Sequence, residues 1–149
     1  AHYYYDEIAA QVDVPFINLI EVVAEALSRD YPRARRLGLL GSTAIQSIDL
    51  YGSGLVGRGI ATVFPSPPRQ AEVMDLIRAV KANAAGEDAR AIVDQAGDDL
   101  AAQGVAVVLV ACTELSALGE SGHRSLPLID AADLLAAAVV DVARAGAAS

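Results

Sequence analysis

At 149 residues, with 54% apolar residues, 5% aromatics and no Trp, the chain suits one domain of α/β layers with a sizeable core, not a β-sandwich. A formal net charge of −8 argues against nucleic acid or an anionic membrane as a partner, because both reward Lys and Arg. The single cysteine excludes an intrachain disulfide and leaves a free thiol, at home in a reducing cytoplasm.

Elements alternate along the chain. The pattern from His2 to Val12 is helical, and Val14-Pro15-Phe16-Ile17-Asn18-Leu19-Ile20 reads as a short strand. Glu21 to Ser28 is a predicted helix, ended by Asp30-Tyr31-Pro32 because proline disfavours helix in the residue before it. Arg36 to Gly41 reads as a strand running into the polar turn Ser42-Thr43. Gln46 to Gly57 follows as helix, and Ile60 to Phe64 as a strand closed by Pro65, Pro67 and Pro68. Two helices are expected near Gln70 to Ala82 and Glu87 to Gln103. Then come a strand ending at Cys112, a loop through Gly119 and Gly122, the short strand Leu126 to Ile129, and an Ala-rich helix from Ala131 to about Ala145. Strands alternating with helices of this length make βαβ units and a largely parallel sheet. The apolar stretches are too short to span a bilayer, and no signal-peptide pattern is visible. The chain opens at Ala1 in what already reads as the inside of a helix, as expected of a fragment or a processed product.

Gly52-Ser53-Gly54-Leu55-Val56-Gly57 matches the dinucleotide fingerprint G-x-G-x-x-G. That motif needs a strand before the glycines and a helix after them, so that a helix N-terminus meets the pyrophosphate. Here the order is reversed, and Asp75, at a tempting distance, falls within a predicted helix. These glycines read as a helix end and a turn, not as a nucleotide site.

Val105-Ala106-Val107-Val108-Leu109-Val110-Ala111 is a strand pattern buried on both faces, and Cys112-Thr113-Glu114 comes directly after it. Ligand sites in open α/β sheets gather at the carboxyl ends of such strands. A thiol there, with a hydroxyl and a carboxylate in the next two positions, is placed for chemistry; a lone cysteine is equally a common space-filling core residue.

Together with Leu39-Leu40-Gly41-Ser42-Thr43-Ala44 and Pro127-Leu128-Ile129-Asp130, the Ala111-Cys112-Thr113-Glu114 motif resembles the aspartate/glutamate racemase family, most closely its aspartate racemase branch. Ala1-His2 looks like the continuation of a family segment Cys-Asn-Thr-Ala-His, and Pro15-Phe16-Ile17 with Ile20-Glu21 like the strand and helix start that come next. The resemblance implies a cofactor-independent enzyme, without PLP or metal, of two α/β lobes with the amino-acid substrate held between them. Two cysteines on opposite faces of the α-carbon exchange its proton, so a thiol must hold a pKa near neutrality to act as base. It makes Cys112 the catalytic residue of this half. Ser42, Thr43 and the amide of Ala44 would cradle the substrate carboxylate, with Thr113 assisting from the other side. Lys81 resembles a family lysine that meets the side-chain carboxylate, although it also reads as a solvated helix lysine. Glu114 would orient the amino group or pair with a backbone amide at a helix start. His2 lies close to where the family's first cysteine would be, and His123 sits in a Gly-Ser loop; neither reads as a catalyst.

The expected organisation is therefore the end of a first lobe over residues 1–34, a second lobe carrying Cys112 over 35–128, and a C-terminal helix returning to the first lobe over 129–149. The family's first cysteine would precede Ala1, and Ile45 stands where the family has a threonine. Activity then needs the missing first lobe, from a parent chain or a second polypeptide, and family members are commonly homodimers. Relatives such as single-cysteine arylmalonate decarboxylases and maleate isomerases offer a different reaction on the same architecture. A truncated, non-catalytic lobe is the third possibility. The apolar faces carrying Tyr4, Ile8, Leu134, Leu135 and Val139 are expected to be uncovered if first-lobe elements are absent.

Overall fold

Leu37-Gly38-Leu39-Leu40 and Val107-Val108-Leu109-Val110 carry no polar side chain and lie fully buried, so they can only be central strands covered on both faces. A computed structural model, describing residues 4–119 and 126–147, builds these runs into a four-stranded, wholly parallel sheet. Its strands are β1 (Arg36–Leu40), β2 (Ala61–Val63), β3 (Val107–Val110) and β4 (Leu128–Asp130), in the order β2-β1-β3-β4. The α/β fold class expected from the alternation is what the chain adopts.

Helices cover both faces. On one side α2 (Leu19–Asp30), the single turn α4 (Gly52–Leu55) and the start of α8 (Ala131–Ala147) enclose a core of Val23, Leu27, Leu37, Leu39, Leu55 and Leu109. On the other, α5 (Pro67–Lys81) and α6 (Ala89–Ala102) bury Leu40, Val73, Ile77, Val93, Leu100, Val108 and Val110. The alternation of β1 side chains between these two cores follows from the two-residue repeat of a strand. Gly38 sets the closeness of α6: a Cβ there would meet Leu100 Cδ1 and Val105 Cγ1 at 3.0 Å each.

The local departures from expectation have local causes. No strand forms over Val14 to Ile20; the segment pairs with no sheet neighbour, and the side chain of Asn18 instead caps α2 by accepting from the amides of Ile20 at 2.9 Å and Glu21 at 3.4 Å. The first helix, α1, covers only Tyr5–Ala9, and His2 and His123 lie outside the described residues. The expected helix from Gln46 to Gly57 is broken into α3 (Thr43–Ser47), α4 and a 3-10 turn at Val56–Arg58. The break falls at Asp49, held at a φ of 47°. Pro67 and Pro68, read as closing a strand, begin α5, where a missing N–H costs nothing. Glycines 52–57 precede β2 instead of following a strand, as their rejection as a nucleotide motif requires.

Of the five side chains on the two terminal apolar faces, Tyr4 and Val139 are exposed, while Ile8, Leu134 and Leu135 are half-buried. Among the described residues no helix is long and apolar enough to cross a membrane. Because Leu109 is fully enclosed in the central strand, Leu109→Ala should lower the unfolding free energy by about 2–5 kcal/mol. Urea denaturation measures this, and a loss below about 1 kcal/mol would contradict the packing described.

Candidate active site

Strands β1 and β3 are paired with Leu40 opposite Val110, and the amide of Ala111 donates to the Leu40 carbonyl at 2.8 Å. Their carboxyl ends therefore leave the sheet side by side. The turn Gly41-Ser42-Thr43-Ala44 continues one strand, and Ala111-Cys112-Thr113-Glu114 the other. A Cβ on Gly41 would meet Ile45 Cδ1 at 2.6 Å and the Ala111 carbonyl oxygen at 3.3 Å, so glycine is what lets the two loops touch.

Cys112 is extended and half-buried, and leads into the single turn α7 (Thr113–Ser116). Its carbonyl accepts from the amides of Leu115 at 3.0 Å and Ser116 at 3.1 Å and from the Ser116 hydroxyl at 3.2 Å, which fixes the backbone under the thiol. The thiol donates to Glu114 Oε2 at 2.9 Å, and the Thr113 hydroxyl donates to the same oxygen at 3.3 Å. Lys81, at the end of α5, brings its Nζ to 3.5 Å from Glu114 Oε1. One carboxylate thus holds the thiol proton on one oxygen and an ammonium on the other. The ion pair links a lysine 63% exposed to a glutamate 22% exposed, so its own contribution to stability is about 0–1 kcal/mol.

Burial, reinforced by the hydrogen bond to the Glu114 carboxylate and its charge, pushes the Cys112 thiol up to about 11. The same hydrogen bond, together with its own backbone amide and with Lys81, holds Glu114 below the usual carboxylate range. Both shifts favour thiol plus carboxylate. The expectation of a thiol poised near neutrality is corrected: in this chain the proton rests on sulfur. The sign of the stability effect is set by the folded state binding that proton more tightly than the unfolded chain. The contribution is fully present below about pH 9 and is lost as pH rises through about 11.

On the facing turn, Ser42 is half-buried and extended, while Thr43 and Ala44 are exposed at the start of α3. The Thr43 amide donates to Met74 Sδ at 3.2 Å. Ile45, which the sequence places where a threonine of the resembled family would stand, packs half-buried against the core under α2. All seven expected site residues thus lie on these two loops or, for Lys81, against one of them. The sequence reading missed Gln70, whose Nε2 donates to the Gly41 carbonyl at 2.8 Å, and Met74 one turn further along α5. The available signal was a glutamine within the buried stripe of Val73, Leu76 and Ile77. Tyr51 was missed too; it is buried beside Asp130 at the end of β4, and burial, aided by that carboxylate, pushes its phenol up to about 12. Among the described residues no group of three or more His, Cys, Asp or Glu gathers to hold a metal ion.

The sequence profile of the Asp/Glu/Hydantoin racemase family matches residues 1–139. The chain belongs to that family. The broad specificity amino-acid racemase RacX of Bacillus subtilis (strain 168) is 28% identical over 140 residues, covering 94% of this chain and 60% of that one. An aspartate racemase from Picrophilus torridus superposes with a TM-score of 0.72 at 29% identity, over 88% of this chain and 54% of its own. An aspartate racemase homologue from Pyrococcus horikoshii OT3 shares the fold with a TM-score of 0.80 at 24% identity, over 96% of this chain and 62% of its own. The chain therefore spans between half and two thirds of the length of these relatives.

The thiol's environment generates a test. Alkylation of Cys112 by iodoacetamide should still be accelerating above pH 9. Glu114→Gln should move the inflection downward, because it removes the charge and acceptor that hold the proton on sulfur. Each unit of downward shift gives roughly tenfold more thiolate at pH 8. A wild-type plateau below pH 9, or slower alkylation in the variant, would contradict the assignment.

Proposed function

We propose that this chain carries one catalytic half of a cofactor-independent amino-acid racemase acting on aspartate or glutamate. The observation that carries the reading is the thiol of Cys112 beside the Gly41–Ala44 turn, with one carboxylate shared between that thiol and Lys81.

The reaction exchanges one proton. A base on the face of the α-carbon opposite Cys112 removes the α-proton, and the C–H electron pair delocalises into the substrate carboxylate. The Cys112 S–H bond then breaks toward carbon, forming the new C–H bond on the other face and leaving a thiolate. In the reverse direction Cys112 begins as thiolate and takes the proton. A thiol held protonated by burial suits the donor role at rest. Once it has given the proton, its thiolate faces the Glu114 carboxylate, and that repulsion makes it a strong base for the return step. The opposing base comes from the remainder of the complete protein, whether in the same polypeptide or a second one. A reducing compartment keeps Cys112 free.

The substrate carboxylate gains charge as the proton leaves, so donors aimed at it matter most. The amides and hydroxyls of Ser42, Thr43 and Ala44 supply them, with Thr113 on the other side. Lys81, already paired with a carboxylate and exposed to solvent, is the cation for the distal carboxylate of an acidic substrate.

Deuterium uptake at the α-carbon by the complete protein, without added PLP, tests the reading. Aspartate or glutamate should exchange fastest, and Cys112→Ala should slow inversion of the α-carbon, followed by circular dichroism, about 10²- to 10⁴-fold, since the opposing base alone can only return deuterium to the face it came from. Alanine or phenylalanine outpacing both acidic substrates would overturn the substrate class, and an active Cys112→Ala protein would overturn the mechanism. Lys81→Ala should raise KM roughly 10- to 100-fold, as expected for one charge-assisted contact, with a smaller effect on kcat. A change confined to kcat would remove Lys81 from substrate binding.

A further inference from the structure

We infer that Gln70 is a positioning residue that sets the carboxylate-binding turn Gly41-Ser42-Thr43-Ala44 from the neighbouring helix. This rests on the racemase reading for its catalytic consequence, but not for its geometry.

Gln70 is 5% exposed, and among the described residues it is the buried polar side chain of the core. Its carboxamide does one thing with its donor end: Nε2 bonds the Gly41 carbonyl at 2.8 Å. The acceptor end, Oε1, is buried with no partner. Most buried polar atoms are paired, and one that is not asks for a reason. If the position served packing alone, leucine or methionine would fill it without that cost. What glutamine adds is a grip on one peptide group.

That peptide joins Gly41 to Ser42. Because a trans peptide is planar, its carbonyl and its N–H point in opposite directions. Holding the Gly41 oxygen toward α5 therefore aims the Ser42 amide away from α5. The next amide, that of Thr43, is held from the same helix, since Met74 lies four residues beyond Gln70 and offers Sδ at 3.2 Å. A thioether is a weak acceptor, so a substrate oxygen can displace it and gain a stronger bond. Lys81 lies eleven residues beyond Gln70, three turns along the same face, and reaches Glu114 on the other loop. One stripe of α5 thus registers the carboxylate turn against the thiol loop.

Two variants of the complete protein test this. Gln70→Leu removes the grip while keeping an apolar fit. It should speed hydrogen exchange of the Thr43 amide, whose acceptor is Met74 Sδ, and, because the buried Gly41 carbonyl loses its donor, lower the thermal midpoint by a few degrees. It should also lower kcat roughly 10- to 100-fold with a smaller rise in KM, since the donors matter most when charge builds. Gln70→Glu keeps the shape, and the introduced carboxyl, buried and so raised in pKa, donates to Gly41 only while protonated. Its kcat should recover toward wild type on acidification, adding an ionisation that the wild-type pH profile lacks.

Unchanged loop exchange in Gln70→Leu, or raised exchange with unaltered kcat, would overturn the inference. So would a Gln70→Glu enzyme whose profile parallels wild type. If the wild-type protein racemises nothing, the racemase reading fails, and the amide-exchange result alone then decides whether Gln70 holds the turn.

Discussion

The pairing of β1 with β3 is the constraint on which the rest of the molecule depends. Both strands are fully apolar where they pair, so their backbone groups must be met by strands on either side, each other and the edge strands β2 and β4, and both faces must be covered by helices. The register that places Leu40 opposite Val110 also fixes where the chain emerges from each strand. Shifting it by one residue would turn every side chain to the wrong core and separate Gly41 from Ala111. Two buried strands thus deliver a hydroxyl-bearing turn and a thiol-bearing turn to one place.

Helix α5 is the second structural determinant. Its buried side, through Val73, Leu76 and Ile77, belongs to the core, and its prolines start it immediately after β2. The same helix carries Gln70, Met74 and Lys81 to the two loops. Stability and site geometry are therefore coupled in one element: the packing that orders α5 also decides where the Gly41 carbonyl and the Glu114 carboxylate are met. Sites built on such elements hold their geometry better than loops left to themselves.

The electrostatics of the thiol turn on burial first and on a single shared carboxylate second. Glu114 stabilises the protonated form of Cys112, and Lys81 moderates the negative charge of Glu114. Burial is the larger cause of the first effect, because a thiolate loses solvation that a thiol hardly needs. In a chain with a net charge of −8, Lys81 puts local positive charge beside this carboxylate.

Much of this was legible in the residues. The apolar runs at Leu37 and Val107 determined that the strands are buried and parallel, and the polar triplet after Ala111 marked the loop that carries the thiol and Glu114. Local chemistry misled where two neighbouring signals competed. Val14 to Ile20 looks like a strand, yet the Asn18 side chain satisfies helix amides and no sheet edge receives the segment. Gln46 to Gly57 has helical spacing, but Asp49 in a left-handed conformation breaks it. The sequence by itself determined which residues are apolar, where the strands end, and that a lone thiol stands at one of those ends. Only the tertiary structure decided which strands are neighbours, that Gln70 and Met74 grip the facing turn, and that burial, aided by Glu114, keeps the thiol protonated. The reason is physical: hydrophobic periodicity is written locally along the chain, whereas a pKa or a hydrogen bond across 29 residues depends on groups that only folding brings together.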